Sequence, residues 1–125
     1  MTLKDVAQLY IEFLEKGDAL AIVSLFAQDG VVHSPLYGIQ PASSFYRELF
    51  EDSSQSELKV LGVFEDSDTP QLALYFNYRW TLANKSFVEF EVVDILEFNE
   101  ENKITCLKII YDTVHSRKAF DEMKE

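Results

Sequence analysis

The chain has few of the residues that cross-link or interrupt protein structure: one cysteine, three prolines and four glycines among 125 residues. A single cysteine cannot form a disulfide within the chain, so stability must come from a packed core. A chain of this length folds as one domain and buries roughly two thirds of its unfolded surface. We therefore expect one domain over residues 1–125, ending in a charged tail at 114–125.

Basic residues and long apolar runs are also scarce, and both shortages exclude classes of partner. The chain has eleven Lys and Arg but twenty-two Asp and Glu, which gives a formal net charge of −11. This charge disfavours binding to nucleic-acid backbones and to anionic membranes. No apolar run approaches the ~18 residues of a membrane span, and the first residues, MTLKD, lack the apolar segment of a secretion signal. We expect a soluble cytoplasmic protein without nucleic-acid or membrane partners.

Metal-binding patterns are missing as well. The only two histidines, His33 and His115, lie far apart in the sequence and belong to no spaced motif of metal ligands. We therefore expect neither a metal site nor a cofactor.

Apolar residues recur with the periods of regular structure, and ten Phe, six Tyr and one Trp supply a large core or an apolar pocket. Helical spacing predicts three helices, over residues 3–16, from Asp18 through Phe26, and over about 41–51. Alternation then predicts strands over about 57–65, 71–82, 86–98 and 103–113, with a short extended piece at 31–34 and a loop at 52–56. The tail is expected to fray or to form a short surface helix. Helices followed by strands are typical of an α+β domain.

One acidic residue, Asp94, lies on the apolar face of the strand predicted at 86–98, while the other acids of that strand lie on the opposite face. An ionised carboxylate is costly to bury, so Asp94 is expected to be paired, or to stay protonated with a raised pKa. A protonated acid can donate a hydrogen bond to a ligand. The alternatives are a structural bond to a neighbouring Tyr, Trp or backbone group, and a strand end that is wet.

Hairpin geometry predicts the surroundings of Asp94. A turn centred near Asn84 pairs apolar with apolar residues and a cation with an acid, as cross-strand energetics prefer. The predicted pairs are Leu74 with Asp94, Phe76 with Val92, Tyr78 with Phe90, Trp80 with Val88, Arg79 with Glu89 and Asn77 with Glu91. The next turn places Leu107, Ile109 and Tyr111 on the Asp94 face. No Lys or Arg lies on that face of these three strands, which argues against a buried ion pair.

In order and spacing, four segments together resemble the nuclear transport factor 2-like superfamily, and within it the SnoaL-like and ketosteroid-isomerase-like proteins. They are LYIEFL at 9–14 with the following Gly17-Asp18, IVSLFAQD at 22–29, FYR at 45–47 and VVDILEF at 92–98. The resemblance implies a cone, in which a strongly bent antiparallel sheet wraps three N-terminal helices around a central apolar pocket. It also implies a homodimer through the outer face of the sheet.

The resemblance further assigns roles to individual residues. In ketosteroid isomerases a Tyr on the first helix and a protonated Asp on a strand form an oxyanion hole, and Tyr10 and Asp94 occupy the matching positions. Tyr46 matches a supporting Tyr, and Phe26 stands where some members have another Tyr. The catalytic base of the isomerases is replaced by Ser34, which cannot abstract a proton without an activating base.

His33 is adjacent to Ser34, but strand alternation directs it to the opposite face, so authentic ketosteroid isomerase activity is not expected. Instead, we expect the pocket to bind a small, largely apolar molecule with a carbonyl or phenol oxygen, to which Tyr10 and Asp94 donate. The predicted walls are Phe26, Phe76, Tyr78, Trp80, Leu107 and Tyr111. Asp112 is a further candidate, with a solvated strand-end acid as the alternative.

If the protein is an enzyme, it is expected to catalyse a cofactor-independent, enolate-type proton transfer of the isomerase or dehydratase kind, with Tyr10, Asp94, Ser34 and Tyr46 at the reacting end. The alternative function is a non-catalytic ligand-binding or dimerisation module. An open apolar pocket of several hundred Å³ would favour a ligand, and a collapsed interior would favour the module.

Overall fold

The computed structural model describes residues 1–125 as four helices and six strands. In chain order these are α1 (Leu3–Lys16), α2 (Ala19–Val23), β1 (Phe26–Ser34), β2 (Gly38–Pro41), α3 (Ala42–Glu51), β3 (Ser53–Glu65), β4 (Gln71–Leu82), β5 (Phe87–Phe98), β6 (Ile104–Ile110) and α4 (Val114–Lys124). The strands form one curved, unclosed sheet in the order β2-β1-β6-β5-β4-β3. The predicted α+β cone is confirmed.

Local sequence fixes both ends of α1. The Thr2 hydroxyl accepts the backbone N–H of Asp5, while the Asp5 carboxylate accepts the N–H of Thr2, so two otherwise unpaired donors are satisfied. Gly17 ends the helix with a left-handed φ of 69°, a conformation that glycine adopts without strain. One stripe of α1 is buried against the rest of the domain: Val6, Ala7, Tyr10, Ile11 and Leu14.

The predicted register of the β4–β5 hairpin is confirmed throughout, including Leu74 opposite Asp94. In the next pair, Ile109 lies opposite Asp94 and Leu107 opposite Leu96, so both β6 residues are on the predicted face. That face turns inward, because alternate β4 residues from Leu72 to Leu82 are buried against the helices. Asp94 therefore lies on the concave side of the sheet.

The structure corrects the first half of the chain. Phe26 was expected at the end of a helix, but α2 stops at Val23, and Phe26 begins β1 opposite Ile104 of β6. The β1–β6 pair is parallel, and its ladder of hydrogen bonds outweighs the helical pattern of the segment. The short strand β2 was not predicted; it pairs with β1 across the turn at Pro35–Tyr37.

The segment at 52–56 was expected to be a loop, but β3 already begins at Ser53 and pairs with the end of β4. The last strand ends at Ile110 rather than at residue 113, and the charged tail forms the helix α4. None of the four helices is long and apolar enough to cross a membrane.

Candidate functional site

A cavity of about 50 Å³ lies between α1, α3 and the concave face of the sheet. Twelve of its fourteen lining residues are hydrophobic, and the other two are Ser34 and Asp94. Since one water-sized sphere takes roughly 10–15 Å³, the cavity has room for about four of them. This volume is below the roughly 300–1,000 Å³ of pockets for drug-sized ligands. By the criterion stated from the sequence, this volume alone favours the module, and a ligand held in this cavity must be small.

Asp94 is the only acidic residue that lines the cavity, and it is 2 % exposed. Burial raises the pKa of Asp94 to about 8, and the proximity of the Tyr10 hydroxyl offsets part of that rise. No hydrogen bond of ordinary length and angle joins the two side chains, and the Asp94 Oδ1 atom has no partner. No Lys, Arg or His lines the cavity. At neutral pH the carboxyl is therefore mostly protonated and has hydrogen-bonding capacity to spare.

Tyr10 reaches the same cavity from α1. Its hydroxyl is 2.7 Å from that of Tyr46 on α3, and both side chains are fully buried, which raises the pKa of each phenol well above its ordinary value. Tyr46 does not line the cavity and has no other hydrogen-bond partner. When Tyr46 donates to Tyr10, the Tyr10 proton remains available to a ligand.

Ser34 lines the cavity at the end of β1, whereas His33 does not. The Ser34 hydroxyl oxygen accepts the backbone N–H groups of Leu36 and Tyr37 at 3.1 Å and 3.0 Å and so holds the turn into β2. No side chain that could serve as a general base is hydrogen-bonded to the Ser34 hydroxyl.

The structure brings together only some of the residues predicted for the site. Six of them line the cavity: Tyr10, Ser34, Tyr78, Trp80, Asp94 and Tyr111. Four others, Phe26, Tyr46, Phe76 and Leu107, are buried in the core behind these walls. Asp112 lies on the surface, where its carboxylate accepts the N–H of Val114 at the start of α4.

Eight further residues line the cavity and had not been predicted as site residues: Leu14, Leu36, Tyr37, Phe45, Leu49, Phe90, Val92 and Ile109. Phe90, Val92 and Ile109 could have been included, since they share the face of Asp94. Tyr37 lies in the turn between β1 and β2 and carries no periodic signal. Seven of the fourteen lining residues are aromatic: Tyr10, Tyr37, Phe45, Tyr78, Trp80, Phe90 and Tyr111.

Tyr37 connects the cavity wall to the C-terminal helix. Its hydroxyl donates to Asp52 at 2.8 Å, and Lys124 of α4 forms an ion pair with the same carboxylate at 2.7 Å. The Tyr37 ring also meets Phe120 of α4 edge-on, with 5.2 Å between ring centroids. The C-terminal end of α4 is thus held against one wall of the cavity by an ion pair and a contact between aromatic rings.

Helices packed inside a bent sheet around a mostly apolar cavity define a nuclear transport factor 2-like protein. Residues 7–107 match the SnoaL-like domain family, and the chain belongs to that family. No curated protein matches the chain in sequence.

Solved structures agree on the fold. An NTF2-like protein of unknown function from Burkholderia pseudomallei K96243 has a TM-score of 0.80 at 14% identity, with 93% of this chain and 95% of that chain covered. SalBIII, an epoxide hydrolase/cyclase-like enzyme of pyran ring formation in salinomycin, has a TM-score of 0.77 at 16% identity, with coverages of 88% and 90%. A protein from Catenulispora acidiphila DSM 44928 with a ketosteroid isomerase-like fold, in complex with trimethylamine, has a TM-score of 0.77 at 12% identity, with coverages of 90% and 88%.

Proposed function

We propose that the chain binds a small, largely apolar molecule with a carbonyl or phenol oxygen, and that Tyr10 and Asp94 donate hydrogen bonds to this oxygen. The supporting observation is the Asp94 carboxyl, which is buried, has an unpartnered oxygen and shares the cavity with the Tyr10 phenol. Hydrogen bonds are stronger in such apolar surroundings than in water, and a buried donor without a partner is costly. A ligand oxygen would remove that cost.

The same two donors would also stabilise an enolate, so the proposal extends to a cofactor-independent proton transfer of the isomerase or dehydratase kind. Ser34 occupies the base position, and its hydroxyl oxygen already accepts two backbone N–H groups. The ketosteroid isomerase reaction would therefore lack its proton acceptor. That SalBIII is described as an enzyme is consistent with catalysis in this fold.

A second ligand class, small alkylammonium ions, is favoured by the seven aromatic walls and the lack of a cation beside Asp94. Aromatic faces attract such cations, and an ionised Asp94 would balance their charge. Tetramethylammonium has five heavy atoms and is among the smallest members of this class. The trimethylamine complex of the Catenulispora protein is a precedent in this fold.

Two variants separate these ligand classes in calorimetric titrations with phenol and with tetramethylammonium. Asp94→Asn keeps a hydrogen-bond donor but removes the negative charge, so it should retain phenol and lose tetramethylammonium. Tyr10→Phe keeps the ring but removes the hydroxyl, so it should weaken phenol binding by about three- to tenfold and spare tetramethylammonium. If the parent protein binds neither ligand, the non-catalytic dimerisation module becomes the better account.

The proposal also includes a homodimer through the outer face of the sheet. Two neighbouring rows of paired residues on that face are largely apolar: Phe64, Ala73 and Ile95 in one, which ends at Lys108, and Tyr75, Val93 and Ile110 in the other. Phe64 and Ile110 are 61% and 51% exposed, and contiguous exposed apolar surface is typical of protein interfaces.

A cytoplasmic location is proposed on the single cysteine, which is typical of reducing compartments.

A further inference from the structure

The Tyr78 hydroxyl is a polar group of the cavity that the proposed function leaves unused. Tyr78 is 8% exposed and lines the cavity, and its hydroxyl is 2.8 Å from the hydroxyl of Ser56 on β3. Ser56 is equally buried at 7% but does not line the cavity. A residue that served only as an apolar wall would need the ring of phenylalanine and no hydroxyl.

The two hydroxyls cannot satisfy each other completely. Together Tyr78 and Ser56 carry two O–H protons, one of which is used in the bond between them, and neither side chain has another hydrogen-bond partner. Tyr78 therefore keeps an unused proton when Ser56 donates, and an unused lone pair when Ser56 accepts. In both cases the Tyr78 hydroxyl has one hydrogen-bonding position left for a further polar atom.

The arrangement repeats the one at the other polar group of the cavity. Tyr10 lines the cavity and is bonded to the hydroxyl of Tyr46, which does not; Tyr78 lines it and is bonded to Ser56. These two phenols are thus each bonded to the hydroxyl of a residue that does not line the cavity.

Tyr78 and Asp94 belong to the same concave face but to different places along it. Tyr78 pairs with Phe90, whereas Asp94 pairs with Leu74, four residues earlier on β4. Burial raises the pKa of Tyr78, the hydrogen bond with Ser56 offsets part of that rise, and the charges of Tyr111 and Asp94 add to it. Between them along β5 lie the apolar side chains of Phe90 and Val92, which also line the cavity.

We propose that Tyr78, held by Ser56, is a second polar subsite, and that the ligand carries two oxygen functions separated by a short apolar spacer. Dihydroxyarenes and hydroxyketones are such molecules. One oxygen would meet Tyr10 and Asp94, and the other would meet Tyr78. This inference rests on the proposed binding of an oxygen-bearing ligand and narrows its class.

Calorimetric titration with phenol, resorcinol and hydroquinone under anaerobic conditions tests the subsite, because each diol differs from phenol by one hydroxyl group. The parent protein should bind at least one of the diols about three- to tenfold more tightly than phenol. Tyr78→Phe should abolish that preference, so that the diols bind no more tightly than phenol. Tyr75→Phe is the matched control, because Tyr75 lies on the same strand but on its outer face, where its hydroxyl bonds to Glu91; it should keep the preference.

The possible failures differ from one another. If the parent binds phenol and both diols equally, the second subsite is overturned while the proposed function stands. If Tyr78→Phe weakens all three ligands alike, Tyr78 is only a wall, and the subsite is again overturned. If none of the three ligands binds, the proposed function fails and the subsite fails with it.

Discussion

The Tyr10 and Asp94 side chains enter one buried cavity from a helix and a strand that are 84 positions apart in sequence, yet no hydrogen bond of ordinary geometry joins them. Tyr10 is bonded to Tyr46 instead, and one Asp94 oxygen is left without a partner. The two groups therefore share a space without using up each other's hydrogen-bonding capacity. A ligand oxygen placed between the two groups could accept a hydrogen bond from each of them.

Asp94 is expected to titrate near pH 8, because desolvation disfavours its charged form. Carbon-detected NMR of its carboxyl between about pH 3 and pH 9 would give the midpoint directly, with an ordinary aspartate near 3.9 as the reference. A midpoint close to that of an ordinary aspartate would mean that the face is wet, and the hydrogen-bond-donor role of Asp94 would be lost.

Stability is expected to decline as the pH rises from about 4 towards 8. In this window the folded chain keeps the Asp94 proton and the unfolded chain has lost it, so each further rise in pH favours unfolding. The decline is on the order of 1 kcal/mol per pH unit. In urea unfolding curves, Asp94→Asn should lack this component, so the stability of the parent relative to the variant should fall across the window. Parallel pH profiles of the two proteins would contradict the raised pKa.

Ser34→Asp is expected to create isomerisation of a β,γ-unsaturated ketone, since the donors are present and only a positioned base is missing. One aspartate oxygen can keep the turn bonds of Ser34, leaving the other for the cavity. A general base contributes about 10²–10⁴-fold, so even a carboxylate weakened by those bonds should give a measurable rate. The conjugated product is followed by its ultraviolet absorbance, against a parent with little activity.

Adding Asp94→Ala to that variant should remove most of the new rate. Circular dichroism establishes that the variants fold, and phenol titration of the parent separates an unsuitable cavity from an unsuitable mechanism. A folded Ser34→Asp protein without isomerisation, from a parent that binds phenol, would mean that Tyr10 and Asp94 are not aimed at an enolate.

Lys124→Met is expected to make the cavity more accessible, because it breaks the ion pair with Asp52 that fastens α4 beside Tyr37. Methionine keeps most of the apolar stem, so the charge is the main loss. Trp80, the only tryptophan, lines the cavity and is 2% exposed, so acrylamide quenching of its fluorescence measures the access. The quenching rate constant should rise several-fold.

Lys118→Met is the matched control for that experiment, since Lys118 is an exposed residue of the same helix and forms no ion pair. It should leave the quenching of Trp80 unchanged. Equal quenching in the Lys124→Met variant and the parent would show that the ion pair does not limit access to the cavity.

Val93→Glu is expected to shift the protein towards a monomer in sedimentation-velocity experiments. Val93 lies between Tyr75 and Ile110 on the outer face, in the apolar rows proposed as the interface, and a buried charge without a partner would disrupt that contact. A substitution away from these rows, Glu57→Gln, should leave the dimer intact. A monomeric parent protein would overturn the dimer.

The sequence was sufficient for the parts of the fold that depend on neighbouring segments. The β4–β5 register followed from one short turn and the alternation of its strands, and it placed Asp94 correctly among apolar residues. The parallel pairing of Phe26 with Ile104 was missed because it joins segments far apart in the chain, and no local pattern encodes it. For a similar reason, the tail that forms α4 was predicted either to fray or to form a short surface helix.

The cavity was predicted less completely than the fold. Tyr10 and Asp94 were found because an acid on an apolar face and a matching helix residue are visible in sequence. The volume of the cavity was not predicted, because it depends on how closely Tyr37, Phe45 and Leu36 pack against the sheet. Tyr37 also owes its position to Asp52 and α4, which are contacts that no spacing reveals.

The unclosed sheet has a consequence for self-association, because its edge strand β3 is 13 residues long and borders no further strand. A long, regular edge is a template on which another chain can add and begin a fibre. Here two irregularities, between Ser53 and Gln55 and between Val60 and Gly62, break the regular spacing of its backbone groups. Glu15 of α1 also occupies the free N–H of Leu58 at 2.9 Å. The edge strand β3 is therefore a poor template for the addition of another chain.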